Sequence, residues 1–308
     1  MDIVILGAIP HDLMAKESEA YIEKQAPAFT RLLQTHKAST EWLDIEAIGC
    51  TPYEYYQLKK ANYQGENNFY AKGVAPLYAS THFNTFPSHQ AVYLMELTYV
   101  EIGQHHASLY TSDELNITPD EAKALFDSSI EVLAHSPYRL LQHNNNMALM
   151  DMGDNFTLPL FSPSLLATGH LNDWHQLGDL ARPLRNVLAE LQILWYNHPI
   201  NQARQARGLK PINSAWIYGG ACFNEIHPVS SPTEKVLSQL SKVHLHQDWG
   251  RWIAELATLD TQLAPLSQSS HRYILFGFDR IVTLTPKPFW AKLINNKSEW
   301  KQWWSQSK

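Results

Sequence analysis

The sequence predicts an α/β fold, a mixed sheet with flanking helices, and three observations carry that expectation. Short β-branched runs such as Ile3 to Leu6 alternate with long stretches of helical period. Proline-bearing capping boxes open helices at Thr51 and Thr118. The middle of the chain reads hairpin, helix, hairpin, helix.

Taken in order, the Ile3 to Leu6 strand breaks at Gly7 and Pro10, and a helix is expected from Ser18 to Thr35. Thr51-Pro52 with Glu54 starts a second helix that ends near Gly65. Residues 62–90 show no period and read as a long connection. From Ala91 to Tyr110 the pattern is a hairpin turning at Gly103. Thr118 to Glu121 caps a helix reaching Ala134, and Arg139 to His143 with Met147 to Met152 form a second hairpin around Asn144-Asn145-Asn146. Leu184, Val187, Leu188, Leu191, Leu194 and Trp195 mark the core stripe of a long helix that stops near Asn197, ahead of Pro199. A strand over Ala215 to Tyr218, a helix from Asp248 to Leu263, strands at Tyr273 to Phe276 and Ile281 to Leu284, and a closing tryptophan-rich helix complete the chain. The expected organisation is an N-terminal α/β segment (1–85), a central module (86–225) and a C-terminal α/β segment (226–308) packed with the first.

Bulk properties narrow the function. A chain of 308 residues with 44% hydrophobic and 18% charged residues supports a large core without staples. A formal net charge of −6 gives no long-range pull on nucleic acid or anionic membrane. Two isolated cysteines, Cys50 and Cys222, suggest neither a disulfide framework nor a cysteine zinc site. With no signal-like N-terminus and no apolar run approaching eighteen residues, the expected location is the cytoplasm. The short motifs for dinucleotides, phosphate loops, serine nucleophile elbows and metalloprotease helices are missing.

The densest stretch is HPINQARQARGLKPINSAWIYGG, residues 198–220. On a helix, Arg204 and Arg207 leave about 60° apart and flank Ile200, the half-buried side. Between 182 and 210, five cations (Arg182, Arg185, Arg204, Arg207 and Lys210) face a single acid, Glu190. Paired guanidiniums bind carboxylate or phosphate in a planar, bidentate way. The candidate ligand-binding residues are therefore His198, Asn201, Arg204, Arg207 and Asn213, with Gly219 and Gly220 admitting a ligand close to the backbone. The structural alternative is that the arginines sit at a helix C-terminus capped by Gly208 and that the asparagine and glycines are turn chemistry. His105-His106 reads as a solvent or packing pair, and Asp151 with Asp154 as a turn.

This stretch resembles the segment of archaeal-type, cofactor-independent phosphoglycerate mutases that runs His-Pro-Val-Asn, arginines, Gly, Pro, Asn and an Ile-Trp-hydrophobic-Gly end. The preceding hairpin, helix, hairpin and helix follow the substrate-binding insert of that family in order. The whole chain is also similar to a bacterial family described as RpfE-type regulatory, phosphoglycerate mutase-like proteins. The resemblance implies that His198, Asn201, Arg204, Arg207 and Asn213 hold a phosphate or carboxylate. A mutase also needs a serine nucleophile and ligands for two metals. Here the first strand leads into GAIPHD, and the alkaline-phosphatase-like metal core is missing from the sequence.

Three readings follow. The first is a non-catalytic or regulatory protein, with no catalytic residues and no cofactor, binding a small anionic ligand or a protein partner. The second is a metal-dependent phosphoester enzyme with divalent-metal ligands from His11, Asp12, His244, His246 and Asp248. The third is an interaction protein whose motif is structural.

Overall fold

The computed structural model describes residues 1–85, 89–104, 107–154, 156–169, 182–227, 234–266, 271–287 and 299–305. The expected His105-His106 pair lies outside them. In chain order the first elements are β1 (Asp2–Ile5), α1 (Asp12–Gln25), α2 (Pro27–Thr35), β2 (His36–Trp42), α3 (Ile45–Ile48), α4 (Pro52–Lys60) and α5 (Val74–His82). Next come β3 (Ala91–Ile102), β4 (Ala107–Tyr110), α6 (Pro119–Ala134), β5 (Arg139–His143), β6 (Met147–Asp151), α7 (Pro163–Leu166), α8 (Arg182–Tyr196), α9 (Pro199–Ala206) and β7 (Ser214–Cys222). The chain closes with β8 (Glu234–Leu237), α10 (Ser241–Leu245), α11 (Trp249–Leu263), β9 (Arg272–Phe276), β10 (Arg280–Pro286) and α12 (Glu299–Trp304). No described helix is long and apolar enough to cross a membrane.

The elements form two compact units, one of residues 1–45 and 230–308, the other of 46–229. The expected boundaries at 85/86 and 225/226 thus fall at 45/46 and 229/230. The reason is that α5 packs on β3 and β7, which draws residues 46–85 into the central unit.

The first unit is built on a five-stranded mixed sheet in the order β2-β10-β9-β1-β8. Strand β1 runs parallel to β8 and β9 on its two sides, so Ile3, Val4 and Ile5 are all fully buried. Its helices are pinned by polar contacts as well as apolar ones. Trp252 Nε1 donates to the Gly7 carbonyl at 2.8 Å, and Trp304 Nε1 to Ala15 at 2.9 Å. The expected single helix from 18 to 35 is two, because Pro27 cannot continue α1 and instead opens α2, whose Phe29 N–H donates to Asp260 Oδ1. Strand β2, not anticipated, pairs antiparallel with β10 along its whole length.

In the central unit both expected hairpins form, β3 with β4 and β5 with β6, and β3 also pairs with β6 and β7. Both capping boxes form as read, at Thr51 with Glu54 and at Thr118 with Glu121. The α4 helix ends at Lys60 rather than near Gly65. The expected long connection over 62–90 contains α5, whose buried face is the small residues Ala75, Pro76 and Ala79 and therefore gives no hydrophobic period. That small face meets β7 at Gly219. A Cβ there would lie 2.4 Å from Ala75 Cβ and 2.5 Å from the Val92 carbonyl oxygen, and the backbone sits at φ +111°. The strand runs on through Gly219 and Gly220 to Cys222, with the register shift opposite Val92 and Tyr93.

Candidate functional site

The polar residues expected to hold an anion lie in and after α9, and each of them makes at least one hydrogen bond within the protein. His198 is the N-cap of α9, where its Nδ1 accepts the Ile200 N–H at 3.2 Å; burial holds its pKa below the ordinary histidine value. Asn201, 1% exposed, donates to the carbonyls of Trp195 and Ile212 and accepts the Ile212 N–H, all within 2.7 to 2.8 Å. Asn213 bridges to β3, its Oδ1 accepting from Val100 N–H at 2.8 Å and its Nδ2 donating to Val100 O at 2.9 Å. The pair therefore ties the loop after α9 to the ends of α8 and β3.

The two arginines converge on one carboxylate. Arg204 is fully buried; its Nη1 donates to Glu121 Oε2 at 2.7 Å, its Nη2 to the Leu115 carbonyl and its Nε to the Lys210 carbonyl. Arg207 reaches the other oxygen of Glu121. Burial works against ionisation of Glu121. The Thr118 N–H and the two guanidiniums outweigh it, and the carboxyl stays below its usual range. Lys210 continues the array, lying over the rings of Tyr99 and Tyr110 at 4.8 and 4.2 Å and pairing with Glu101 at 3.2 Å.

The arrangement corrects the expectation that Arg204 and Arg207 hold their charge ready for a ligand. Arg204 points inward beside partly buried Ile200 as expected, whereas Arg207 lies past the end of α9 and is exposed, and what fills the space beside Arg204 is Glu121 on α6. Gly219 and Gly220 likewise give room to α5 and to the Tyr93 ring rather than to a ligand.

Of the residues proposed as metal ligands, His244 and Asp248 have local structural roles, and His11 and His244 both pack against Trp249. His244 lies on α10 and is buried with Nε2 donating to the Ile9 carbonyl at 2.8 Å. Burial pushes its pKa down to about 4. The Trp249 ring meets His244 edge-on at 5.8 Å and His11 edge-on at 5.2 Å. Asp248 caps α11 through the Arg251 N–H, His246 follows α10, and Asp12 opens α1. Among the described residues no three His, Cys, Asp or Glu side chains gather as a metal set.

Two features were missed by the sequence reading. A groove of about 470 Å³ opens where β3 begins and β6 ends, lined among others by His89, Tyr93, Arg139, Asp151, Asp154 and Phe156. Arg139 is exposed there, directly across the β5–β6 ladder from Asp151, and among the described residues no carboxylate forms an ion pair with it. Asp151 turns back onto the Gly153 N–H at 2.9 Å, which is the turn expected of it. The second is Glu96, the one charged residue in AVYLMELTYV, buried on β3 between Met147 and Trp216. A lone acid in an apolar strand was the signal that could have found it.

No family model matches the chain, and no curated protein matches it. Among solved structures it is similar to the PH0037 protein from Pyrococcus horikoshii, at 11% identity and a TM-score of 0.41, over 92% of this chain and 87% of that one. It is also similar to the cofactor-independent phosphoglycerate mutase from Thermoplasma acidophilum DSM 1728, at 12% identity and a TM-score of 0.36, over 94% of this chain and 90% of that one.

Proposed function

We propose that this chain recognises a small anionic ligand, phosphorylated or carboxylated, without transforming it, and that the recognising charge is Arg139 in the groove between β3, β5 and β6. The observation that supports this reading is a contrast between guanidiniums. Arg204 and Arg207 share Glu121, whereas Arg139, across the ladder from Asp151, forms no ion pair among the described residues and borders a cavity large enough for a small metabolite. His89 in the same groove adds a second donor, and Asp151 and Asp154 add acceptors. A ligand carrying hydroxyls next to its anionic group suits that mixture better than a bare anion. On this reading the chain is a regulatory protein of the RpfE-type kind, working in the cytoplasm and needing no metal or other cofactor.

Thermal shift tests it. Phosphate and phosphoglycerate should raise the Tm of the parent in a concentration-dependent way, by mass action, and leave Arg139→Ala unmoved. If neither compound stabilises the parent, or Arg139→Ala responds as the parent does, the reading fails.

A further inference from the structure

Three charges line the groove between β3, β5 and β6 without neutralising one another. Arg139 and Asp151 are register partners on β5 and β6, which sets their side chains on one face of the sheet with Cβ atoms about 5 Å apart, yet they form no ion pair. Asp151 instead turns its Oδ1 back onto the Gly153 N–H at 2.9 Å. Asp154, in the turn that follows, is exposed and makes no side-chain hydrogen bond or ion pair among the described residues. The turn that carries both acids is held at its flanks. Met152 is buried, and the Tyr93 hydroxyl donates to the Phe156 carbonyl at 2.9 Å just past Asp154. Between the acids, Gly153 sits at φ +75° with nothing within 4 Å of a Cβ position, so this part of the turn faces open space.

The described lining thus sets one guanidinium against two carboxylates. A ligand with negative charge alone gains at Arg139 and loses at Asp151 and Asp154 across the same cavity. One that presents an ammonium beside its anionic group meets both signs. An ammonium brings three donors and no acceptor, and its hydrogen bonds to carboxylate are about twice as strong as those between neutral groups. We propose, on the reading of Arg139 as the anion receptor, that the ligand of this groove is a small zwitterion, its carboxylate or phosphate on Arg139 and its ammonium between Asp151 and Asp154. The same three charges set selectivity, because the carboxylates penalise a wholly anionic compound of the same shape and Arg139 penalises a simple amine. With the turn already held by Met152 and Tyr93, little ordering is left for binding to supply.

Isothermal titration of the full chain with phosphoglycerate and with O-phosphoserine of the same configuration tests this, since the two compounds differ only in a hydroxyl or an ammonium on one carbon. O-phosphoserine should bind the parent about tenfold more tightly, a comparison that involves no variant and hence no folding defect. Asp151→Asn and Asp154→Asn should each reduce that preference, and the double variant should abolish it while binding phosphoglycerate more tightly than the parent does. Arg139→Ala should weaken both compounds. Equal affinity of the parent for the two, with both lost in Arg139→Ala, would overturn the zwitterion and leave the anion site standing. A preference that survives in the double variant would overturn it as well. Silence from both compounds would remove the anion site and the zwitterion together.

Discussion

Arg204 and Glu121 form a buried ion pair at 2.7 Å across 83 residues of sequence, and Arg207 closes on the same carboxylate from the exposed side. The pair connects the C-terminal half of α9 to the first turn of α6, where Glu121 also completes the capping box with Thr118. One acid thus serves a helix cap and two guanidiniums.

Removing one member strands the other in the interior. Arg204→Ala or Glu121→Ala should each lower the unfolding free energy by about 3–5 kcal/mol in urea titrations. The double substitution Arg204→Met with Glu121→Leu should recover much of that loss, since an apolar pair of similar volume carries no charge to desolvate. Arg207→Ala should be mild, about 1 kcal/mol or less, because its side chain is about half exposed.

The pH profile should carry two opposed slopes. His244 stays neutral in the fold down to about 4, while the unfolded side chain takes a proton near 6.5. Stability is therefore lost as pH falls between those values, by about 3 kcal/mol in all. Glu96 acts the other way, because the fold keeps its proton up to about 7 and the unfolded chain releases it near 4.5, so stability falls as pH rises through that window. Denaturant midpoints of His244→Gln and Glu96→Gln across pH 4 to 8 separate them: the first loses the acid-side slope and the second the neutral-side slope.

Gly219 should tolerate no side chain. Alanine there meets Ala75 Cβ and the Val92 carbonyl and sits at φ +111°, so a loss of about 3 kcal/mol or more is expected. Gly208 is also left-handed, at φ +72°, but nothing lies within 4 Å of a Cβ, and Gly208→Ala should cost about 1 kcal/mol. Chemical denaturation of the two variants compares strain alone with strain plus overlap.

What the sequence made readable was local. The Thr51 and Thr118 capping boxes, the proline ahead of α9 and the core stripe of α8 depend on neighbours within a turn or two, and the structure contains each of them. The inward lean of Arg204 was legible from helical angles, whereas Glu121 could not be named from 83 residues away. Helix α5 escaped because its contact face is alanine and proline, packing by close approach rather than by a stripe of large apolar residues. Strand β2, HKASTEW, alternates exposed and half-buried residues at a sheet edge and offers little hydrophobic contrast. Groove residues Arg139, His89 and Asp154 come from separate elements, so only the folded sheet brings them together.

Isothermal titration calorimetry with phosphoglycerate, run on the parent, Arg139→Ala and Arg207→Ala, decides which guanidinium receives the anion. Saturable heat in the parent and in Arg207→Ala, lost in Arg139→Ala, is the expected outcome. Heat that survives in Arg139→Ala and disappears in Arg207→Ala would return the ligand to the α9 arginines and contradict the assignment.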